Sequence, residues 1–227
     1  MMLSFYVTGT DTGIGKTLAS CALLYRLRAH GLRAAGMKPV ASGCVRIDGV
    51  WRNEDALALQ AAGESGIDYT DINPFALEQP LAPELAARDA GIEVTLAPIL
   101  NAYARLSAQV DALVVEGVGG WAAPLSATLM QADLVRALRL PVVLVVGLRL
   151  GCLNHALLSA RAIAADGLTL AGWIGSHVDP TMARVEDNIA MLRHRLPAPC
   201  WGVLPYAPDA APQALAAHLD IPASTGG

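Results

Sequence analysis

The sequence has few charged residues and contains no long apolar segment. Only 16% of its 227 residues are charged, against about a quarter in typical globular domains, and its mean hydropathy is +0.42. The longest apolar run, LPVVLVVGL at residues 140–148, ends at Arg149. A bilayer-spanning helix needs about 20 apolar residues, so we expect no membrane segment. We interpret this run as a parallel strand that is buried between helices.

Blocks of basic residues are also absent. The net charge is −4 at pH 7, and Lys and Arg form neither a cluster nor a tail. Because binding to a phosphate backbone needs clustered basic residues, we expect no nucleic-acid partner. The first segment, MMLSFYVTG, has no basic start and no long apolar stretch of the secretory type, which favours a cytoplasmic protein.

The four cysteines are far apart and form no C-x-x-C pair. They are Cys21, Cys44, Cys152 and Cys200. This spacing argues against a cysteine metal site. We interpret the cysteines as reduced thiols, with disulfides as the alternative.

Apolar segments alternate with helical patterns along the chain. The patterns predict strands at residues 3–8, 34–39, 112–116, 140–147, 170–175 and 200–204, and helices at 18–30, 53–62, 99–110 and after 149. Residues 73–83 contain three prolines and are predicted to be loop. We see no repeat and no long linker, so one domain is expected over residues 1–227. The alternation predicts an α/β fold with a doubly wound, mostly parallel sheet and helices on both faces.

Polar and glycine-rich segments follow the predicted strands. They are GTDTGIGKT, KPVASG, EGVGG, RLGCLNH, GSHVDP and LPYAPD. In open α/β sheets, ligands bind beyond the carboxyl ends of the strands. We therefore expect these segments to form one site.

The segment GTDTGIGKT, at residues 9–17, ends a predicted strand and opens a predicted helix. This is the context of a phosphate-binding loop, in which glycines let backbone N–H groups approach the phosphates. Lys16 can reach the β- and γ-phosphate oxygens, and the Thr17 hydroxyl can bind Mg²⁺. The spacing differs from the Walker A pattern, since five residues separate Gly9 from Gly15 where that pattern has four. The segment predicts a site for a nucleotide and magnesium.

Other candidate residues are ambiguous when each is taken alone. Glu116 ends a predicted strand and suits a second magnesium ligand, although an acidic strand end in water is the alternative. Asp55 has the spacing of a solvated surface carboxylate. Lys38 lies at the end of the second strand and Ser42 in the turn after it, where each side chain can point into the cleft or into solvent. The isolated histidines and the tryptophans are expected to have structural roles.

Six segments, taken in order, resemble the dethiobiotin synthetase family. They are GTDTGIGKT, AGMKPVASG, RNEDALALQ, VVEGVGGWAAPL, PVVLVVGLRLGCLNHA and LTLAGW. KPVASG together with EGVGG is more specific than a phosphate loop alone, and the five-residue spacing is typical of that family. The resemblance implies a P-loop NTPase-like ligase of biotin synthesis. It would close the ureido ring of dethiobiotin from 7,8-diaminononanoate, CO₂ and ATP, with Mg²⁺ as cofactor, and act as a homodimer.

The resemblance also implies roles for individual residues. Lys38 and Lys16 would be catalytic, and Thr12 and Ser42 would contact the substrate. The implied magnesium ligands are Thr17, Asp55 and Glu116. The implied nucleotide-binding residues are Gly13, Ile14, Gly15, Lys16, Thr17, Leu18, Asp55, Glu116, Gly117, Val118, Gly119, Ser176, His177, Pro205, Tyr206 and Ala207.

Several positions depart from the family pattern. Gly13 stands where many members have an acidic residue. Ser176 and His177 replace an Asn-Asp pair whose Asn contacts adenine, so we expect relaxed selectivity for the base. Asn188 replaces a tyrosine that binds the substrate carboxylate. Backbone N–H groups at a predicted helix start are expected to bind that carboxylate instead. They belong to Gly151, Cys152, Leu153 and Asn154.

Two other functions remain as alternatives. One is a regulatory ATPase switch of the partition or septum-site kind, which shares the fold but carries a lysine early in the phosphate loop and often a basic tail. Here the early loop residues are Thr10, Asp11 and Thr12, and the chain ends in PASTGG. The other is a different ATP-dependent amide- or ring-forming ligase of the same superfamily.

Overall fold

The computed structural model describes residues 2–222. Of the tail PASTGG, all but Pro222 lies outside these residues. The strands are β1 (Leu3–Gly9), β2 (Ala34–Met37), β3 (Val40–Ala41), β4 (Val45–Ile47), β5 (Val50–Arg52), β6 (Phe75–Ala76), β7 (Ala112–Gly120), β8 (Val142–Leu148), β9 (Leu170–His177) and β10 (Cys200–Leu204). The helices are α1 (Lys16–Ala29), α2 (Glu54–Ala62), α3 (Tyr69–Ile72), α4 (Pro83–Asp89), α5 (Leu96–Ser107), α6 (Gln131–Leu138), α7 (Cys152–Ala165), α8 (Val185–Arg195) and α9 (Pro212–Leu215), and a 3₁₀ turn follows at Ala216–His218.

Six strands form one parallel sheet in the order β10-β9-β8-β1-β7-β2. The other strands form two small pairs, β3 with β6 and β4 with β5. Later strands join on both sides of β1. The carboxyl end of β1 therefore lies where the winding of the chain reverses, which is where such sheets bind ligands.

Helices cover both faces of this sheet. Phe5 and Val7 of β1 pack in one buried cluster with residues of α1, α2 and α9. Tyr6, on the opposite face, belongs to a cluster with residues of α5 and α6. A third cluster joins β8 and β9 to α7 and α8. All seven residues of β8 are buried, which explains the apolar run in the sequence. The predicted doubly wound α/β fold is confirmed.

Several predicted boundaries need correction. The helix predicted at 99–110 is α5, which begins at Leu96 and ends at Ser107. It can begin before Pro98 because a proline fits the first helical turn, where its missing N–H would have no partner in the helix. The strand predicted at 112–116 continues to Gly120, which pairs with Gly9. The predicted loop 73–83 contains β6, and its last residue starts α4.

The β4–β5 hairpin was absent from the sequence prediction. Its turn is Asp48-Gly49, with φ of 51° and 80°. Asp-Gly between apolar residues is a strong sequence signal for this turn, so the pattern could have revealed the hairpin.

Within the described part of the chain, every helix is too short or too polar to cross a bilayer.

Candidate nucleotide-binding and active site

The glycine-rich loop joins the end of β1 to the start of α1, as predicted. Gly13 and Gly15 have φ of 69° and 81°, in the left-handed region that favours glycine. Ile14 is buried between them and anchors the loop to the core. The first backbone N–H groups of α1 have no partner within the helix and are available to bind an anion. The loop thus has the backbone geometry of a phosphate cradle.

Lys16, the first residue of α1, is buried and lies across the loop. Its Nζ donates a hydrogen bond of 2.9 Å to the carbonyl oxygen of Asp11. Burial lowers the pKa of Lys16 to about 8, and the positive charge of Lys38 contributes to this shift. The Glu116 carboxylate acts in the opposite direction and raises this pKa. The ammonium group is therefore under-compensated by the protein, and an anion in the loop would stabilise its charged form.

Lys38 lies at the centre of a buried cluster of charges. Its Nζ donates to Asp55 Oδ2 at 2.9 Å, to Glu116 Oε1 at 2.6 Å and to the Gly117 carbonyl at 3.1 Å. These three bonds use all three donors of an ammonium group. Glu116 Oε1 also accepts a 2.8 Å hydrogen bond from the Thr17 hydroxyl. The cluster joins the start of α1 to the carboxyl ends of β2 and β7.

The charges in this cluster stabilise one another. Burial lowers the pKa of Lys38, but Glu116 and Asp55 together outweigh it, so its pKa is raised. Burial raises the pKa of Asp55, and Lys38 outweighs this effect, so the Asp55 pKa is lowered. Both groups are charged at neutral pH. Lys16 and Lys38 are the chain's only two lysines.

The backbone around Lys38 is held in place by hydrogen bonds from its neighbours. The Lys38 N–H donates to the Ile72 carbonyl at 2.7 Å, and its carbonyl accepts from Asn73 Nδ2 at 2.7 Å. Asp55 lies in the first turn of α2, where the helix dipole favours a carboxylate. Asn53 caps this helix by accepting from the Ala56 N–H at 3.2 Å. Local capping and backbone pairing therefore bring the two side chains to one point.

These elements surround a cleft of about 420 Å³. It is lined by Thr12, Gly13, Ile14, Gly15, Lys16, Thr17, Lys38, Ala41, Ser42, Asn53, Glu54, Asp55, Val118 and Gly119. Glu116 and Gly117 lie beneath it and reach it through Lys38. Most of the predicted site residues thus converge, and Asp55 is only partly exposed, with 35% of its side chain accessible. Spacing alone had favoured a solvated carboxylate at this position.

The remaining predicted residues lie outside the lining of this cleft. Ser176 is the residue before the end of β9 and lies against the loop, where a Cβ on Gly15 would be 2.5 Å from its Oγ. His177 meets Tyr206 edge to face, with ring centroids 6.2 Å apart. Pro205 and Ala207 flank this tyrosine in the segment after β10.

Two further groups of predicted substrate and nucleotide residues lie apart from the cleft lining. Gly151, with φ of 96°, precedes α7, whose first residues are Cys152, Leu153 and Asn154. Leu18 is partly buried and packs against the core. Asn188 Nδ2 donates to the Arg184 carbonyl of its own helix at 2.9 Å, so its amide is engaged locally.

One residue that contacts the site was not predicted from the sequence. Gln131 is fully buried at the start of α6, and its Oε1 accepts from the Val118 N–H at 2.9 Å. No motif or spacing marks this glutamine in the sequence. Only the turn of the chain after β7 brings it to the cleft segment.

The donor set at the cleft fits a magnesium ion. The Thr17 hydroxyl and the carboxylates of Asp55 and Glu116 are hard oxygen ligands of the kind Mg²⁺ prefers. Within residues 2–222, Glu116 Oε2 is buried and has no hydrogen-bond partner. The same residues contain no group of three or more His, Cys, Asp or Glu side chains that could hold a metal by themselves. Oxygen donors of this kind hold Mg²⁺ together with the phosphates of a nucleotide.

The chain is similar to known proteins over most of its length. The matching family model is described as an AAA domain and covers residues 4–214. ATP-dependent dethiobiotin synthetase BioD of Xanthomonas oryzae pv. oryzae (strain PXO99A) is 66% identical over 96% of this chain and 98% of its own. The protein of the same name from Xylella fastidiosa (strain 9a5c) is 63% identical over 95% of this chain and 96% of its own.

Solved structures support the fold. Chloroplast FtsY from Physcomitrella patens matches with a TM-score of 0.52 and 16% identity, over 96% of this chain and 65% of that one. The MinC:MinD cell division protein complex of Aquifex aeolicus matches with a TM-score of 0.53 and 13% identity, over 91% of this chain and 82% of that one. These distant likenesses carry only the architecture. The sequence relatives, with the loop and charge cluster described above, establish that the chain belongs to the dethiobiotin synthetase family.

Proposed function

We propose that this chain, as one domain, catalyses the ATP-dependent closure of the ureido ring of dethiobiotin. The substrates would be 7,8-diaminononanoate, CO₂ and ATP, and the products dethiobiotin, ADP and phosphate. The observation that carries the proposal is the position of Lys38. It joins two carboxylates beside the phosphate loop, at a cleft that also exposes Ser42 and Thr12. The family relationship supplies the reaction, and the cleft supplies groups suited to it.

The proposed reaction has three steps. One amine of the substrate attacks CO₂ and loses a proton to the surrounding water, which gives a carbamate. A carbamate oxygen attacks the γ-phosphoryl group of ATP, which releases ADP and gives a carbamic–phosphoric anhydride. The second amine attacks the anhydride carbonyl, closes the ring and expels phosphate, while its proton passes to the surrounding water or phosphate.

The residues of the cleft would mainly position the reactants and neutralise charge. A negative carbamate must approach a negative triphosphate. Lys16 and Lys38 are positive groups that both line the cleft, and the N–H groups at the start of α1 would bind phosphate. A magnesium ion held by Thr17, Asp55 and Glu116 would neutralise further phosphate charge. Thr12 and Ser42 would contact the diamine.

The test measures incorporation of labelled bicarbonate into dethiobiotin and ATP hydrolysis in the same samples. We expect hydrolysis to depend on both the diamine and bicarbonate. Lys38→Ala should lower turnover by about 10²–10³-fold, the usual cost of removing a group that stabilises charge in the transition state. Arg195→Ala, which removes an exposed cation at the end of α8, is the control and should retain activity. Near-normal ring closure by Lys38→Ala would contradict the proposed role.

The same assay separates the two alternative functions. A regulatory ATPase switch would hydrolyse ATP without diamine. Another ligase of the superfamily would depend on a different amine or acid. The likeness to the MinC:MinD complex is one of fold and favours neither alternative.

We also propose relaxed selectivity for the nucleotide base. Ser176 replaces the family's adenine-contacting Asn, and a hydroxyl cannot offer the paired donor and acceptor of an amide. Within the described chain, the Nε2 atom of His177 is buried without a hydrogen-bond partner, so this side chain has an unused polar group. Turnover with ATP, GTP and CTP is the measurement. Comparable rates with all three support the proposal, and a steep loss with GTP and CTP refutes it. Ser176→Asn should then restore preference for ATP.

The proposal includes binding of the substrate carboxylate at the start of α7, a homodimer and a cytoplasmic location. Gly151 caps that helix, the Cys152 N–H donates to the Arg149 carbonyl at 3.0 Å, and Leu150 beside the cap is 94% exposed. The four cysteines are free thiols, as expected in a reducing compartment. Light scattering of the purified protein tests the dimer, and a monomeric mass at working concentrations would exclude it.

A further inference from the structure

Gln131 places an amide group in the interior of the protein, next to the segment that forms one wall of the cleft. It is the first residue of α6 and is 0% exposed. It does not line the cleft, so it cannot contact a substrate directly. Its polar atoms instead form hydrogen bonds with backbone groups of the cleft wall and with the Thr8 hydroxyl.

The amide joins the ends of β1 and β7. Gln131 Oε1 accepts from the Val118 N–H at 2.9 Å. Gln131 Nε2 lies within hydrogen-bond distance of three acceptors: Thr8 Oγ1 at 3.2 Å, the Gly120 carbonyl at 3.1 Å and the Trp121 carbonyl at 3.3 Å. The Gln131 amide thus accepts a hydrogen bond from one backbone N–H of this segment and donates to backbone carbonyls of the same segment.

That segment, residues 117–121, carries groups of the proposed active site. The Gly117 carbonyl is one of the three acceptors that hold the Lys38 ammonium group. Val118 and Gly119 line the cleft, and a Cβ on Gly119 would lie 3.6 Å from Thr12 Oγ1. Because the Val118 N–H points to Gln131, the orientation of the peptide between Gly117 and Val118 is set, and with it the direction of the Gly117 carbonyl.

The Gln131 side chain also lies close to the backbone of Gly117. A Cβ on Gly117 would lie 2.4 Å from Gln131 Oε1. The side chain therefore packs directly on the backbone of Gly117. The hydrogen bond from Val118 and the contact with Gly117 therefore act on the peptide that joins these two residues.

We propose that Gln131 is a positioning residue for ring closure, which directs the Gly117 carbonyl toward Lys38 and holds the cleft wall in register with the phosphate loop. The inference rests on the proposed function and adds a residue to it. Gln131 acts through Gly117 and Val118. Its loss is expected to lower kcat more than nucleotide affinity, because the phosphate loop itself is unchanged.

The test compares Gln131→Met with Gln60→Met. Both replace an amide by a side chain of similar length. Gln60 donates to the Ile67 carbonyl at 3.1 Å and does not line the cleft, which makes it a matched control. We expect Gln131→Met to lower kcat by roughly 10- to 100-fold with a small change in the Kd of ATP, since small misplacements in an active site have costs of this order. Gln60→Met should keep the wild-type kcat.

Melting curves, isothermal titration with ATP and initial rates are measured on each variant well below its Tm. A lower Tm with unchanged kcat for Gln131→Met would show a structural role only and would overturn the proposal. If Gln131→Met does not fold, Gln131→Glu takes its place, since it keeps the acceptor for Val118 and loses the donor to Thr8 and Gly120. A wild-type kcat in Gln131→Glu would overturn the proposal that Gln131 holds the cleft wall in register with the phosphate loop. Absence of dethiobiotin from the wild-type reaction would refute the proposed function itself, whatever the variants do.

Discussion

Replacing Lys38 by methionine would remove the central charge of the buried cluster while keeping the length of the side chain. The wild-type side chain is 5% exposed, and its ammonium group makes hydrogen bonds of 2.9, 2.6 and 3.1 Å to Asp55, Glu116 and Gly117. In Lys38→Met, Glu116 keeps only the hydroxyl of Thr17 as a donor. A fully buried carboxylate would then lack its counter-charge.

Removing one partner of a buried ion pair costs about 3–5 kcal/mol, because the other charge stays buried without compensation. The side chain of Glu116 is 0% exposed, so this estimate applies to it in full. Asp55 is 35% exposed and regains water, so we assign it little of the loss. With a urea m-value of about 2 kcal/mol/M, the midpoint of unfolding should fall by about 1.5–2.5 M.

Urea titrations followed by circular dichroism measure this change in wild type, Lys38→Met and the double variant Lys38→Met/Glu116→Gln. The double variant removes both charges and should recover most of the lost stability, since uncharged groups of similar shape are well tolerated in place of a buried pair. Added Mg²⁺ should raise the midpoint of Lys38→Met more than that of wild type, because the freed oxygen ligands can bind it.

A loss of less than about 1 kcal/mol in Lys38→Met, the range of an exposed ion pair, would contradict this expectation. So would a double variant that is less stable than the single one. Either result would mean that Glu116 is compensated by something other than Lys38.

Three further predictions concern other parts of the fold. Gly117→Ala should destabilise the protein by about 1–3 kcal/mol and reduce turnover, since the alanine Cβ would lie 2.4 Å from Gln131 Oε1. Thermal melts and initial rates measure both effects, and a wild-type Tm together with a wild-type rate would contradict the prediction. Hydrogen bonds from Arg33 lower the pKa of Asp111 to about 2, so the stability from this pair is complete above the ordinary pKa near 4 and disappears as the pH falls through about 2. Asp111→Asn should therefore melt below wild type at pH 7 and at the same temperature near pH 2, whereas a constant difference would count against the pair. Burial raises the pKa of Cys21 to about 12, so iodoacetamide at pH 8 should leave it unmodified in the native protein and alkylate it in urea, as mass spectrometry of its peptide can show.

The sequence was sufficient to predict the features that depend on neighbouring residues. The run at residues 140–148 predicted a strand buried on both faces, and β8 is buried throughout. The glycines and Lys-Thr at residues 9–17 predicted a strand–loop–helix phosphate site, and Gly13 and Gly15 have the left-handed backbone that the motif requires. Local patterns succeed here because backbone conformation and burial depend on residue types at short separation.

The charge cluster depended on contacts between distant residues. Lys38 meets Asp55 across 17 residues of sequence and Glu116 across 78. Spacing alone left Asp55 as a surface carboxylate, and only the family resemblance assigned it to the site. Its position follows from the cap of α2 at Asn53 and from the approach of that helix to β2, neither of which periodicity can specify.

The α/β architecture, the phosphate loop and, through resemblance, the family could all be predicted from the sequence. Which side chains share the cleft became clear only from the three-dimensional contacts. The same contacts identified Gln131, which bonds to Thr8 of β1 and to Val118 and Gly120 of β7. The physical reason is that strand order sets long-range neighbours. Adjacent parallel strands bring their carboxyl ends together whatever their separation in the chain, and no local pattern encodes which strands are adjacent.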